Sequence, residues 1–201
     1  MEPWHLIVGL GNPGGEYART RHNAGFMLVE RLGRDWQADW RHEDRFRARL
    51  AQGVRAKRRW ILCQPQTYMN ASGEAVATVA AFYRVPPARV LVAVDDADLP
   101  MGTLRLRPDG SSGGHHGLES VERCLGTRTY PRLRLGIGRL AADGRQITGH
   151  VLGRFSPDEA GWLERVMERA ATAVECWLDG DVTVAMNRFN GAVTAPPTKD
   201  S

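Results

Sequence analysis

The sequence predicts an α/β fold: a single domain in which a mixed, mostly parallel, twisted sheet is surrounded by helices. Two short apolar runs, 4–10 and 90–94, are typical of buried strands. Segments with apolar residues at helical spacing lie between the predicted strands. Because strands alternate with helices along the chain, parallel pairing is favoured, and a length of 201 residues suits one domain.

The predicted elements of the first half are strands at 4–10, 46–52 and 59–63 and helices at 24–32 and 70–84. The first helix is expected to stop at Gly33, since glycine often follows the last helical residue. The second is expected to end before Pro86-Pro87, because proline cannot continue a helix.

The predicted elements of the second half are strands at 90–94, 103–107 and 132–138, helices at 116–125, 157–180 and 181–189, and a flexible loop at 108–114. Ser156, Pro157 and Glu159 predict a helix start, with a serine cap, proline at the first position and glutamate for a capping box. We expect residues 1–191 to form the catalytic domain and 192–201 a flexible tail.

Composition limits the location and partners of the chain. No apolar run approaches the roughly 20 residues that span a bilayer, and 1–5 lack the features of a signal peptide. Cys63, Cys124 and Cys176 are odd in number and far apart, which argues against a disulfide framework or a zinc site. We therefore expect a cytoplasmic protein. The net charge of +4 and the pI of about 9.3 suggest a polyanionic partner.

Gly9, Gly11 and Gly14 match the G-x-G-x-x-G fingerprint of dinucleotide-binding proteins. That function needs a helix that opens at the glycines and an acid at the end of a second strand. Here residues 15–23 are polar and turn-like, and Glu30 falls within a helical pattern. A nucleotide-dependent oxidoreductase is therefore a weak alternative.

Residues 110–114 match the G-x-S-x-G nucleophile elbow, and Ser112, Asp143 and His150 follow in the order of a hydrolase triad. However, Pro108-Asp109 interrupts the sharp turn from strand to serine that the elbow requires. We interpret the segment as a glycine-rich loop that closes over a ligand.

A different set of polar residues favours hydrolysis by activated water. His22 is a possible base, Asp95 a carboxylate that could orient it, and Asn12 and Asn70 are amides that could hydrogen-bond a carbonyl oxygen. His22 and Asp95 follow predicted strands, and ligands gather at the carboxyl ends of such strands. Spacing alone leaves open whether these residues meet.

Seven segments in order closely resemble the bacterial peptidyl-tRNA hydrolase family: 8–14 (VGLGNPG), 20–25 (TRHNAG), 65–73 (PQTYMNASG), 95–100 (DDADLP), 113–118 (GGHHGL), 132–138 (RLRLGIG) and 186–190 (MNRFN). The resemblance implies hydrolysis of the ester between a peptide and the 3′ end of tRNA. It implies that His22 is the general base, that Asp95 orients it and that Asn23 supports the local geometry.

The resemblance also implies substrate-binding and tRNA-binding residues. Those expected to bind or line the substrate are Asn12, Tyr17, Tyr68, Met69, Asn70 and His116, and those expected to hold tRNA phosphates are Arg107 and Arg134. Position 116 departs from the family, which usually has asparagine there, and histidine keeps a hydrogen-bonding side chain but adds bulk and a titratable group.

We expect no cofactor and no metal, because His5, His42 and His150 have no partners at ligand spacing. We also expect a monomer without a membrane or obligate protein partner. The alternative from another class is a non-catalytic RNA-binding protein on the same fold.

Overall fold

The computed structural model describes residues 2–138 and 147–194, which form a mixed α/β structure built on one sheet. The strands of this sheet are β1 (Trp4–Gly9), β2 (Arg41–Glu43), β3 (Ala48–Arg55), β4 (Arg58–Pro65), β5 (Val90–Asp96), β6 (Thr103–Arg107), β7 (Arg132–Gly136) and β8 (Gly191–Ala192). The helices are α1 (Ala24–Asp35), α2 (Ser72–Tyr83), α3 (His116–Leu125), α4 (Ile147–Val151), α5 (Pro157–Asp179) and α6 (Val182–Phe189).

The strand order is β2-β3-β4-β1-β5-β7-β6-β8, with a parallel centre and antiparallel flanks. In the described part of the chain, three pairings are parallel (β1–β4, β1–β5 and β5–β7) and four are antiparallel. The α/β class and the mixed sheet are confirmed, but the prediction of a mostly parallel sheet holds only for the centre.

Short connections explain the antiparallel flanks. Parallel neighbours need a crossover of about a dozen residues or more, whereas β3 and β4 are joined directly through Ala56 and Lys57, both at positive φ. The connection 97–102 is likewise too short for a helical crossover, so β6 runs antiparallel to β7, which lies between β6 and β5. Sequence alternation could not show these reversals.

Most predicted elements are confirmed, with corrections at their ends. The capping box of α5 is present as predicted, with Ser156 as N-cap and Glu159 bonded back to it. The predicted stop of α1 at Gly33 is wrong, because the helix continues to Asp35. Gly33 serves a close contact instead, since a Cβ there would lie 2.5 Å from the Trp40 ring nitrogen.

Further differences from the predictions concern β3, α2 and α4. The strand predicted from 46 begins at Ala48, because a 3₁₀ turn and a left-handed Arg47 precede it. The helix predicted at 70–84 is divided into a 3₁₀ turn, Met69–Ala71, and α2. Helix α4 was not predicted.

Part of the predicted tail belongs to the sheet. Residues 191–192 pair with β6, and the Val193 amide donates to the Gly102 carbonyl at 2.8 Å. Val193 is buried in the core, and residues 195–201 lie outside the described part of the chain. The domain boundary at 191 stays a prediction.

The sheet separates two apolar clusters. Ile7, Leu62 and Leu91 face the cluster formed with α1 and α5, whereas Val8 and Val92 face the cluster formed with α2 and α3. Burial on both faces holds the central strands in register, so the positions of their carboxyl ends are fixed. Within the described residues, no helix is long and apolar enough to cross a membrane.

Gly25 lets the start of α1 approach the sheet closely. A Cβ at this position would lie 2.3 Å from the Ala93 carbonyl oxygen and 2.5 Å from the Leu10 nitrogen, which are backbone atoms. We expect Gly25→Ala to reduce the free energy of unfolding by about 1–3 kcal/mol or more, because the backbone must shift. Urea denaturation measures the change.

Gly149→Ala is the matched control. Gly149 is in α4, and nothing lies within 4 Å of the place its Cβ would occupy. Its substitution should change stability by less than about 1 kcal/mol. Equal losses in the two variants would contradict the close-approach argument.

Candidate active site

The candidate site lies where β1 and β5 end side by side. These strands are parallel neighbours, with Gly9 opposite Ala93, so the segments that follow them leave the same edge of the sheet. After β1 the chain runs through a loop to a 3₁₀ turn, Arg21–Asn23, which leads directly into α1. This path places His22 above the end of β5, which carries Asp95.

The glycines of the G-x-G-x-x-G match serve this close approach. A Cβ on Gly9 would lie 2.1 Å from the Gly25 carbonyl oxygen, and one on Gly11 would lie 2.7 Å from the Phe26 ring. Helix α1 begins at Ala24, well after Gly14, and packs tightly on the glycine segment, where the Phe26 N–H of its first turn donates to the Leu10 carbonyl at 3.2 Å. A pyrophosphate would lack the amide donors that the dinucleotide function requires.

Asp95 is the centre of the site. Its Oδ1 lies 2.9 Å from His22 Nδ1 and 3.1 Å from His115 Nε2, and its side chain is only 3% exposed. Burial alone raises the pKa of this carboxyl, but the hydrogen bonds from His115 and His22 outweigh burial and hold the pKa well below its usual range. Asp95 is therefore ionised at neutral pH and can only accept hydrogen bonds.

The contacts assign a tautomer to each histidine. His115 Nδ1 accepts the backbone N–H groups of Gly117 and Leu118, at 3.1 and 3.3 Å, and so caps α3. Its proton is then on Nε2, which donates to Asp95. His22 donates to the same oxygen through Nδ1, so its Nε2 is unprotonated in the neutral ring and can accept a proton.

Asn12 and Asn23 form a reciprocal pair beneath the cleft. The Asn12 N–H donates to Asn23 Oδ1, and Asn23 Nδ2 donates to the Asn12 carbonyl, both at 2.9 Å. Asn12 Oδ1 accepts the Met69 N–H at 2.9 Å. This last bond fixes the amide orientation of Asn12 and leaves its Nδ2 as the donor available to a ligand.

These groups face a cleft of about 440 Å³. The cleft is lined by Asn12, His22, Asp95, Asp96, Ala97, Asp98, Gly113, Gly114, His115, His116, Arg134, Val151 and Leu152. The structure thus brings together Asn12, His22 and Asp95, which are predicted site residues from separate segments. A base, a carboxylate and an amide donor in one cleft are suited to attack of water on a carbonyl carbon.

Four other predicted substrate residues lie outside the lining of this cleft. Tyr68 and Asn70 are exposed, at and beside the 3₁₀ turn Met69–Ala71. Met69 is buried against α3, since a Cβ on Gly117 would lie 2.5 Å from its sulfur. Tyr17 is half-buried in the loop after β1.

His116 is at the rim of the cleft. Its side chain is 75% exposed, and its Nδ1 lies 3.1 Å from Glu119 Oε2 one turn along α3. Arg107 is exposed on β6, away from the lining. The guanidinium of Arg134 lines the cleft but is bound by Asp96 and by two backbone carbonyls.

His115 is the residue whose role the sequence did not reveal. It stands in a Gly-Gly-His-His segment directly before the predicted helix 116–125, which is an N-cap position. A cap position was therefore visible, but two adjacent histidines gave no sign of which one turns inward.

Among the described residues, the hydrogen bonds of Ser112 and His150 are not those of a catalytic triad. Ser112 Oγ accepts the Gly114 N–H, and His150 Nε2 donates to the Gly138 carbonyl at 2.7 Å. Asp143 lies outside the described part of the chain.

His22, Asp95 and His115 also form a set that could hold a metal ion, since their ligand atoms lie within 4.8 Å of one another. The same three atoms are joined by the two hydrogen bonds to Asp95. A metal ion would have to replace both bonds.

Comparison with known proteins agrees with this geometry. The family model described as peptidyl-tRNA hydrolase matches residues 6–198. A peptidyl-tRNA hydrolase of Synechococcus sp. (strain JA-3-3Ab) is 51% identical over 92% of this chain and 82% of its own length. One from Gloeobacter violaceus is 44% identical over 96% of both chains.

Solved structures give the same result. The crystal structure of peptidyl-tRNA hydrolase from Acinetobacter baumannii has a TM-score of 0.89 and 36% identity, covering 96% of this chain and 97% of that chain. The sequence match extends over nearly the whole chain and the fold is shared, so the chain belongs to the peptidyl-tRNA hydrolase family.

Proposed function

We propose that this chain hydrolyses the ester between the peptide and the 3′ end of tRNA in peptidyl-tRNA, releasing tRNA for reuse. The observation that carries the proposal is the buried Asp95–His22 pair, which faces a cleft beside the Asn12 amide. The family supplies the substrate, because its members are named for it.

In the proposed mechanism His22 Nε2 takes a proton from water, whose oxygen attacks the ester carbonyl carbon. Asp95 holds the ring through Nδ1 and stabilises the imidazolium that forms. Asn12 Nδ2 donates to the carbonyl oxygen as it becomes negative. The bond to the ribose oxygen then breaks, that oxygen receives the proton from His22, and the products are tRNA and a free peptide.

The other predicted residues have supporting roles in this proposal. Asn23 fixes Asn12 through their reciprocal bonds, and Met69 fixes it through its backbone N–H. Tyr17, Tyr68, Asn70 and His116 are proposed to contact the peptide or the tRNA end from the loops around the cleft.

In this proposal, arginine side chains bind the phosphates of the tRNA backbone. Arg107 is exposed and Arg134 lines the cleft, and the guanidinium groups of both suit phosphate geometry. Such contacts contribute affinity with little sequence preference. We also propose a cytoplasmic location, because peptidyl-tRNA is a product of translation. The monomeric state and the absence of a cofactor stay predictions, which sedimentation and assay after treatment with EDTA would check.

His22→Ala should lower kcat on N-acetyl-aminoacyl-tRNA by about 10²- to 10⁴-fold, because the general base is lost. The assay measures release of the N-acetyl-amino acid, with circular dichroism to check folding. His42→Ala is the matched control, since His42 is an exposed histidine of β2 that pairs with Asp44. A loss of only a few-fold in His22→Ala would remove the base from the mechanism and favour a non-catalytic RNA-binding protein.

His115→Asn should separate the two contacts of His115. Asparagine is a good N-cap, so α3 should be kept, but its shorter side chain cannot donate to Asp95. We expect kcat to fall by up to about 10²-fold, with little change in KM, because the base is less precisely held. His115→Ala should show the same loss of kcat and an additional loss of stability. Unchanged kcat in both variants would show that only the cap matters.

Asp95→Asn should reveal the charge of Asp95 through the pH dependence of stability. The folded-state pKa of Asp95 is held below its unfolded value, so its carboxylate stabilises the fold above about pH 4 and loses this effect as the pH falls. The wild-type protein should exceed Asp95→Asn by about 1.5–3 kcal/mol in free energy of unfolding near pH 7. Urea unfolding between pH 7 and pH 3 should show this difference shrinking. A difference independent of pH would contradict an ionised Asp95.

A further inference from the structure

The 3₁₀ turn Arg21–Asn23 presents three consecutive side chains in three directions. A 3₁₀ helix has about three residues per turn, so neighbouring side chains are roughly 120° apart around its axis. Asn23 bonds to the loop after β1, and His22 bonds to Asp95. The side chain of Arg21 is therefore directed to a third side of the turn.

On that side, Arg21 binds the segment that leads into α5. Its Nη1 lies 2.8 Å from the Arg154 carbonyl oxygen, and its Nη2 lies 2.7 Å from Glu159 Oε2. Its guanidinium carbon lies 5.3 Å from the centre of the Phe155 ring, and the side chain is only 10% exposed. A largely buried cation thus joins the turn that carries the proposed base to the start of α5.

Backbone bonds join the same two segments. The Arg21 N–H donates to the Gly153 carbonyl at 2.9 Å, and Thr20 and Arg154 form an antiparallel bridge. A Cβ on Gly153 would lie 3.0 Å from Arg21 Nη1, so this glycine suits the close approach of the two segments. The two residues before Gly153 line the cleft, so one segment both walls the cleft and supports the turn.

The partner of Arg21 is itself held in place by the end of a long helix. Glu159 Oε2 also accepts the Ser156 N–H at 2.7 Å, and Ser156 Oγ accepts the Glu159 N–H at 3.3 Å, which is the capping box of α5. Buried residues of α5 belong to the apolar cluster that includes α1. The position of the Glu159 carboxylate is therefore set by the packing of α5.

We infer that Arg21 is a positioning residue, which fixes the turn Arg21–Asn23 against α5 so that His22 is held on Asp95. Asn23 fixes the turn on one side and Arg21 fixes it on another, so the imidazole between them is kept in one orientation. The inference rests on the proposed function, because it concerns the base of that reaction.

The first test measures kcat and KM of Arg21→Lys and Arg21→Gln on N-acetyl-aminoacyl-tRNA. Lysine keeps the charge but lacks the planar fork that binds the Arg154 carbonyl and Glu159 together. We expect both variants to lower kcat by about tenfold to 10²-fold, because the base is less precisely held. KM should change little, since Arg21 lies outside the lining of the cleft. A raised KM with the wild-type kcat would show that Arg21 supports substrate binding and would overturn the inference.

Arg31→Gln is the matched control. Arg31 also lies close to a glutamate of α5, at 3.8 Å from Glu164, but it belongs to α1 and bonds to Asp35 at 2.7 Å. Its substitution should leave kcat and KM as in the wild-type protein. Equal losses of kcat in Arg31→Gln and Arg21→Gln would mean that any weakened contact with α5 lowers activity, which contradicts a specific role of Arg21.

Glu159→Gln tests the same contact from its other end, for use also if the Arg21 variants fold poorly. Glutamine is suited to the capping box as well, but it removes the charge that binds Arg21. We expect a lower kcat, and the double variant should be no slower than Arg21→Gln alone, because both changes remove one contact. Losses that multiply in the double variant would show that the two residues act independently and would overturn the inference.

Proton NMR without substrate separates this inference from the proposed function. His22 Nδ1–H and His115 Nε2–H donate to the same oxygen of Asp95, so the His115 proton is an internal reference. In Arg21→Gln the His22 proton should exchange with water faster by about tenfold or more, whereas the His115 proton should exchange as in the wild-type protein. In Arg31→Gln both protons should show wild-type rates.

The outcome of this exchange measurement does not depend on catalysis. A wild-type exchange rate of the His22 proton in Arg21→Gln would overturn the positioning role. An inactive wild-type protein would refute the proposed function while leaving the exchange test of Arg21 valid.

Discussion

The Asp95 carboxylate is buried at the end of a strand that is buried along its whole length, and it remains ionised because two imidazole N–H groups donate to one of its oxygens. A buried charge without such partners would be neutralised by protonation. The rest of the site follows from this requirement. His22 must come from the segment after β1, and His115 must come from the start of α3. Each of these segments is in turn fixed by contacts of its own.

The sheet topology makes these approaches possible. Four central strands run parallel, so β1 and β5 end together, and the glycines at 9 and 25 let the start of α1 come close enough for His22 to reach Asp95. The antiparallel flanks contribute differently. They place β6 beside β7, so exposed and enclosed arginines share one face near the cleft. One end of the sheet thus combines the buried Asp95 carboxylate with a basic surface, which suits the polyanionic ester substrate of the proposed function.

The sequence allowed the central strands and the α5 capping box to be predicted, because each depends on a local pattern. Spacing left open whether Asn12, His22 and Asp95 meet, and only the resemblance to the family indicated that they do. His115 could not be predicted, since its inward orientation depends on a helix cap and on a carboxylate twenty residues away. Arg134 could not be understood from sequence either. Its intramolecular partners come from the end of β5 and from a glycine-rich turn, which no local pattern indicates. The role of Gly33 could not be predicted either, because it depends on a tertiary contact with Trp40.

The imidazole of His115 belongs at once to the cap of α3 and to the environment of Asp95. Opening of the first turn of α3 would therefore withdraw a hydrogen-bond donor from Asp95 while the sheet stays intact. Such local opening costs less free energy than global unfolding. We therefore expect activity to decline on heating at a lower temperature than secondary structure.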